Sequence, residues 1–339
     1  MIEEKNSSYN DNNKIKTTFK LKNNEIFDQL YIRSNKSLIN TKNEKETFIN
    51  LLNKGYSSPW ITFNGANAKL AYSIEPYTTE GYGRNIGSIV EKQMHRTYQE
   101  TKNKFFECFV LSSLHTFKNY LPRDISGVWL TEYTSTWIKK DYGIKALYVD
   151  TRHNDTIAEY MRTLSKYYND DSLLEMSQYY ANYLVYEYKR GNITKLKEGI
   201  LTPDYFSTHH NKNTHTSLNH QLAIINYLLR CFIDTKNKEY KTLALTYLET
   251  IENMGDEWIK PNKDLYYSVD TKGKMSGNDY AQLTLEDLLV TQNLLEEIGK
   301  KRSKELDRLI ESKYSYLKSI DYKFNDYLTN QLEEGGYNE

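Results

Sequence analysis

From residue 86 onward the chain places apolar residues at helical spacing. Ile86, Ile89, Val90 and Met94, then Phe105, Phe109, Leu111 and Leu114, predict helix over 86–120. Upstream the signal is shorter. It predicts helices at Glu25–Ser34 and Lys45–Leu52, then an extended piece at Ser58–Gly65. Residues 66–87 are rich in glycine and aromatic side chains and read as a long functional loop. Two strand-like runs follow, Gly127–Thr134 and Gly143–Val149.

The pattern then repeats. Each unit has a short extended piece containing tyrosine, a polar turn, an asparagine dipeptide, and two helices joined by a charged turn. The first unit predicts helices over 155–168 and 171–190, the second over 218–233 and 237–254, the third over 280–298 and 302–319. The dipeptides begin at Asn154, Asn219 and Asn278, which lie 65 and 59 residues apart. Three helical hairpins at a near-constant period suggest a helical array. The first helix of each hairpin is the more continuously apolar, as in Leu218–Ile233 and Leu283–Leu295; the second is amphipathic. An inner and an outer ring of helices would read this way. The expected fold is mainly α: an (α/α) toroid, either incomplete or of six hairpins, with short β segments in the connecting loops. Such a ring would gather the polar stretches of all three units at one end. Residues 1–24 are almost wholly polar and read as a disordered leader or tether, 25–330 as one toroid domain and 331–339 as a tail.

Composition narrows the function. Lys+Arg and Asp+Glu are equal at 45 each, which argues against a general nucleic-acid binder. There is no apolar run long enough for a membrane-spanning helix. The polar leader suits an extracellular or surface-tethered protein whose export signal has been removed; a cytoplasmic protein is the alternative. Tyrosine is unusually frequent, 31 residues against 11 Phe. Most of these are expected at the edge of the core, ring buried and hydroxyl satisfied. Cys108 and Cys231 lie in apolar helical patterns without metal or redox spacing.

The candidate chemistry lies in the polar turns. Four of the seven histidines (His209, His210, His215 and His220) fall between Thr208 and Leu222, where a polar loop runs into a helix N-terminus. Clustered imidazoles there suit proton transfer or hydrogen bonding to a polar substrate. They lack the rigid i, i+4 pair of a zinc site, so no metal or other cofactor is expected. Asn219 and Gln221 add neutral donors and acceptors. In the first unit, Arg152 and His153 suit a substrate carboxylate or hydroxyl. Asp155 is either a helix cap or a catalytic acid. Asp279 faces the same choice in the third unit, where Glu286-Asp287 reads as a structural pair with Arg or Lys. Glu132 is a further acid. Tyr148, Tyr205, Tyr267 and Tyr280 flank the polar stretches and are proton-transfer or sugar-contacting candidates. Walker, G-x-S-x-G and H-E-x-x-H motifs are absent.

Two stretches resemble a known family. Leu147-Tyr148-Val149-Asp150-Thr151-Arg152-His153 and Thr214-His215-Thr216-Ser217-Leu218-Asn219-His220-Gln221-Leu222 are similar to the C-terminal α/α-barrel region of D-glucuronyl C5-epimerases. The similarity covers about a third of the chain, with Val149 inserted in the first run. It implies a toroid acting on carbohydrate. It also implies exchange of the C5 proton of a uronic acid by tyrosine and acidic residues, with Arg152 and His153 holding the carboxylate. The expected function is therefore a carbohydrate-active enzyme on a polysaccharide: an epimerase, lyase or glycoside hydrolase. The catalytic candidates are Asp155, His215, His220, Asp279, Tyr280 and Glu132. Substrate contacts are expected from Arg152, His153, Tyr148, His209, His210, Asn219, Gln221 and Tyr267. The rival is a non-catalytic helical toroid that binds glycan or protein.

Overall fold

The structure, a computed structural model, describes residues 7–10, 14–17, 22–23, 35–52, 59–62, 65–69, 73–75, 82–84, 86–87, 89–121, 123–124, 126–207 and 213–337. The helix expected at Glu25–Ser34 lies outside the described residues. Eleven α-helices are described: α1 (Lys42–Leu52), α2 (Lys92–Thr101), α3 (Lys104–Asn119), α4 (Thr136–Tyr142), α5 (Thr151–Tyr168), α6 (Asp171–Lys189), α7 (Leu218–Thr235), α8 (Lys238–Met254), α9 (Leu283–Glu297), α10 (Lys304–Ser319) and α11 (Asp326–Glu334). The strands are short. In chain order they are β1 (Ser7–Asn10), β2 (Lys14–Thr17), β3 (Pro59–Thr62), β4 (Gly65–Lys69), β5 (Ile74–Glu75), β6 (Tyr82–Gly83), β7 (Thr134–Ser135), β8 (Val149–Asp150), β9 (Thr194–Lys195), β10 (Ile200–Leu201), β11 (Tyr205–Phe206), β12 (Thr216–Ser217), β13 (Tyr266–Val269) and β14 (Met275–Asn278). Within the stretch read as a disordered leader, β1 and β2 form an antiparallel pair.

The three expected hairpins are α5–α6, α7–α8 and α9–α10. Their turns follow from local chemistry. Asn169 and Lys236 end α5 and α7 in the left-handed region, with φ of 51° and 59°. Asp170 and Asn237 then cap α6 and α8 by accepting backbone N–H bonds. Helix α5 begins four residues before the predicted start. Asp150 is its cap, accepting from His153 N at 3.0 Å. Asn154 instead joins Trp129, accepting from its N–H and donating to its carbonyl, each at 2.9 Å. Asp155 is thus an interior helical residue and not a cap. The helix expected over 86–120 divides into α2 and α3, a fourth hairpin, at Lys102 (φ 55°) and the Asn103 cap.

Helix α7 packs against α5 on one side and α9 on the other, and it is buried along most of its length. The outer partners α6, α8 and α10 alternate buried and exposed faces. Four hairpins of the ring are present among the described residues. The main core fills the space between the inner and outer helices of the last three hairpins, where Leu222, Ile225, Leu228, Leu288 and Leu309 meet. Each such side chain contributes about 1.5–3 kcal/mol by burial. Tyrosine serves this core as expected. Tyr180, Tyr227 and Tyr247 are fully buried in it, and the hydroxyl of Tyr180 donates to the Thr151 carbonyl at 2.9 Å.

Strand pairing brings the connecting segments together. Strand β8, just before α5, pairs with β11, placing Asp150 opposite Tyr205. Strand β12, just before α7, pairs with β13 of the third unit, placing Ser217 opposite Ser268. The N-terminal ends of the inner helices therefore share one end of the ring.

Candidate functional site

That end carries an aromatic cleft. Trp137 of α4 projects into it and remains 40% exposed. Its ring lies 5.8 Å from that of Tyr205 and 6.0 Å from that of His215. It separates two pockets. One, of about 550 Å³, is lined by Tyr142, His215, Tyr267, Asp270 and Tyr280. The other, about 180 Å³, is lined by Tyr133, Tyr148, Asp150, His153 and Tyr205.

Behind the larger pocket lies Asp204, with no exposed side-chain surface. Burial opposes its ionisation, but His220, His215 and Ser217 outweigh burial and hold its carboxyl below the usual range. Ser217 donates from its backbone N–H at 2.8 Å and its hydroxyl at 2.5 Å. Nε2 of His215 lies 3.1 Å from Oδ2 of Asp204. On the other side of that ring, Nδ1 is 2.7 Å from the Tyr142 hydroxyl. The Tyr142 oxygen already accepts the His215 backbone N–H at 3.4 Å. A phenol that donates to Nδ1 leaves the ring proton on Nε2, on the side of the carboxylate, where the contact is an ion-pair approach and not an aligned hydrogen bond. The three residues form a chain, phenol to imidazole to buried carboxylate. Burial raises the Tyr142 pKa, so the phenol keeps its proton until the chain accepts it.

His220 flanks Asp204 from the first turn of α7. The Thr151 hydroxyl donates to the Asp204 carbonyl at 2.9 Å. Its 2.8 Å contact with Nδ1 of His220 is then a bond donated by the ring N–H. Burial lowers the His220 pKa and keeps the ring neutral, against the pull of Asp204. In the smaller pocket, His153 stands 3.4 Å from Asp150 through Nδ1, and its ring packs on the backbone of Gly87.

A second polar group lies deeper, among the inner helices. Arg152 donates to Asp287 at 2.9 Å and to the Asn219 carbonyl at 2.8 Å. Burial pushes Asp155 up to about 7 and Asp287 up to about 6, with Arg152 opposing both shifts. Asp155 makes no hydrogen bond through its side chain to the described residues. Glu159 lies beside it, 3.1 Å from Arg230.

The fold brings together His215, Tyr267 and Tyr280 in one pocket, and Tyr148 and His153 in the other. His220 stands just behind, with Asn219 beside it. Arg152 and Asp155 belong to the deeper group, where Arg152 is committed to Asp287. Gln221 is fully buried and accepts from Thr202 N at 2.8 Å. Two acid candidates are committed elsewhere. Glu132 takes both arms of Arg84, at 2.6 Å each. Asp279 is neither a cap nor open to the cleft: α9 starts at Leu283, and the Asp279 carboxylate is enclosed 2.8 Å from the fully buried Lys313 ammonium. His209 and His210 lie outside the described residues. Sequence reasoning missed Trp137, Tyr142 and Asp204. The first two lie on α4, a seven-residue helix too short for periodicity to reveal. Its signals were the aromatic content and Gly143, which caps it at φ 73°. The signal for Asp204 was a lone carboxylate inside an otherwise apolar extended piece. Among the described residues, no group of three or more His, Cys, Asp or Glu is arranged to hold a metal ion.

Protein-family models give no match to the chain, and neither do curated proteins. Solved structures do match. One is a D-mannose isomerase, with TM-score 0.52, 10% identity, and coverage of 72% of this chain and 61% of that one. A second is cellobiose 2-epimerase from Bacillus thermoamylovorans, with TM-score 0.52, 11% identity, and coverage of 71% and 62%. A third is a glycoside hydrolase family 76 mannosidase from Bacteroides thetaiotaomicron, with TM-score 0.51, 13% identity, and coverage of 86% and 79%. The fold is an (α/α) toroid. The chain spans about three fifths of the length of the first two structures. At these identities the likeness is one of fold.

Proposed function

We propose that this protein is a carbohydrate-active enzyme that moves a proton at C5 of a uronate within a polysaccharide, as an epimerase or a lyase. The observation that carries the reading is the Tyr142–His215–Asp204 chain opening on an aromatic cleft. Tyr142 is the base. As its oxygen takes the C5 proton, its own proton passes to Nδ1 of His215, and Asp204 stabilises the imidazolium, as in other nucleophile–histidine–carboxylate chains. Tyr267 lines the same pocket, and burial raises its pKa, so it stays protonated and serves as the acid. Delivered to the opposite face of C5, its proton completes an epimerisation. Delivered to the oxygen leaving C4, it completes an elimination. Solvent then takes the proton from His215 and restores the one on Tyr267. Trp137 offers an exposed ring face for a sugar. The similarity of the Tyr148–His153 and His215–Leu222 stretches to C5-epimerases supports the same class, as do the sugar-converting enzymes among the fold neighbours.

A second reading rests on Asp155 and Asp287, whose carboxyls titrate at about 7 and about 6. A protonated carboxylic acid near neutral pH is what a glycoside hydrolase requires. One experiment separates the two readings. The protein is incubated in heavy water with uronate-containing and neutral polysaccharides. Deuterium at C5 without cleavage supports epimerase chemistry, and new unsaturated ends support a lyase. Reducing ends alone move the assignment to the Asp155 group. Binding with silence in all three channels points to a non-catalytic toroid.

A further inference from the structure

A cavity of about 700 Å³ lies beside the histidine cleft, not within it. Its size falls within the ordinary range of ligand pockets, roughly 300–1,000 Å³. The segment Ala146–Val149 forms one wall, and Tyr148 borders both this cavity and the smaller cleft pocket. The opposite wall is the C-terminal end of α6 with the turn after it. Leu147 is 40% exposed at the rim. Tyr183 is 5% exposed; its hydroxyl makes no hydrogen bond to the described residues and opens on the cavity.

The charges choose the ligand. Two carboxylates line the cavity, Asp124 and Glu187, against one guanidinium, Arg190. That guanidinium already lies 3.6 Å from Glu187. Asn192 adds an amide and donates to Glu187 at 2.6 Å. An anion entering here meets a net negative lining with no free cation among the described lining residues. A neutral, hydroxyl-rich ring meets acceptors, an unpaired phenol and an apolar edge. We propose that this cavity is a subsite for neutral sugar residues, across one strand from the catalytic cleft. The inference rests on the carbohydrate reading of the cleft: a polymer that places a uronate in the cleft would place an uncharged unit here.

The test is saturation-transfer NMR titration of the whole protein with maltotriose, cellotriose, mannotriose and trigalacturonate. At least one neutral trisaccharide is expected to bind. Leu147→Ala and Tyr183→Phe should each weaken it about fivefold, the scale of one lost contact or hydrogen bond. The cleft variant Tyr142→Phe should leave that binding unchanged, and trigalacturonate should not depend on Leu147 or Tyr183. Absence of neutral binding, or neutral binding lost in Tyr142→Phe but kept in Leu147→Ala and Tyr183→Phe, overturns the subsite. If C5 exchange fails while Leu147-dependent binding persists, the uronate chemistry falls and the subsite stands. The converse result spares the chemistry and removes the subsite.

Discussion

Nε2 of His215 faces Oδ2 of Asp204 across 3.1 Å, and both residues lie in the connection between α6 and α7, Asp204 just ahead of β11 and His215 just ahead of β12. With Nε2 on the carboxylate side, the other ring nitrogen faces the Tyr142 hydroxyl. Asp204 is wholly enclosed and held by Ser217 as well, so the acceptor behind the imidazole is fixed in place. This is preorganisation of the kind that makes a weak base useful.

Tyr142→Phe therefore removes the group that meets the substrate and leaves a ring of nearly the same shape. Turnover should fall about 10²–10⁴-fold, the ordinary span for losing a positioned acid or base. The melting temperature should hardly move. The rate of C5 deuterium uptake beside a thermal melt checks both. Retention of more than about a tenth of the wild-type rate would remove Tyr142 from the mechanism.

Asp155 gives a pH signature in stability. Its folded carboxyl titrates at about 7 against an ordinary 3.8, because burial disfavours the charge. The folded chain therefore holds this proton more tightly than the unfolded one. The stability linked to it is complete below the unfolded pKa and is lost as pH rises through about 7. Asp155→Asn, which cannot ionise, should gain on wild type as pH rises, its advantage in melting temperature being larger at about pH 8 than at about pH 5. Parallel melting curves at the two pH values would refute the assignment.

Lys313 holds the wall of the larger pocket from behind. Its ammonium, fully buried on α10, lies 2.6 Å from Asp264 and 2.8 Å from Asp279. These carboxylates flank the β13–β14 hairpin that carries Tyr267. Lys313→Met leaves the enclosed Asp279 without its cation and Asp264 with Lys260 alone, at 3.5 Å, and should cost about 3–5 kcal/mol, read by denaturant melts. Adding Asp264→Asn and Asp279→Asn should restore most of that loss, since the cost is unpaired charge more than lost packing.

Trp137 lines both cleft pockets and keeps an exposed face. Trp137→Ala should weaken oligosaccharide binding by roughly tenfold, about 1.4 kcal/mol, while fold stability changes little. Isothermal titration with the oligosaccharide that serves as substrate measures it. Unchanged affinity would show that the sugar does not stack there.

The sequence by itself determined the helical hairpins and their turns, because these depend on local signals: apolar period, cap residues and short charged turns. It also placed His215, His220 and His153 at the helix N-termini, since the polar stretches interrupt the apolar pattern there. It left open which polar side chains are bound to one another. Arg152 reads as a free clamp until α9 brings Asp287 against it. Asp279 reads as an acid until α10 brings Lys313. Tyr142 reads as one tyrosine among 31 until α4 sets it on His215. Packing of the helices decides the first two partners, and strand pairing between β8 and β11, and between β12 and β13, gathers the rim segments around the cleft. That pairing joins segments more than fifty residues apart, at a distance that no local propensity encodes.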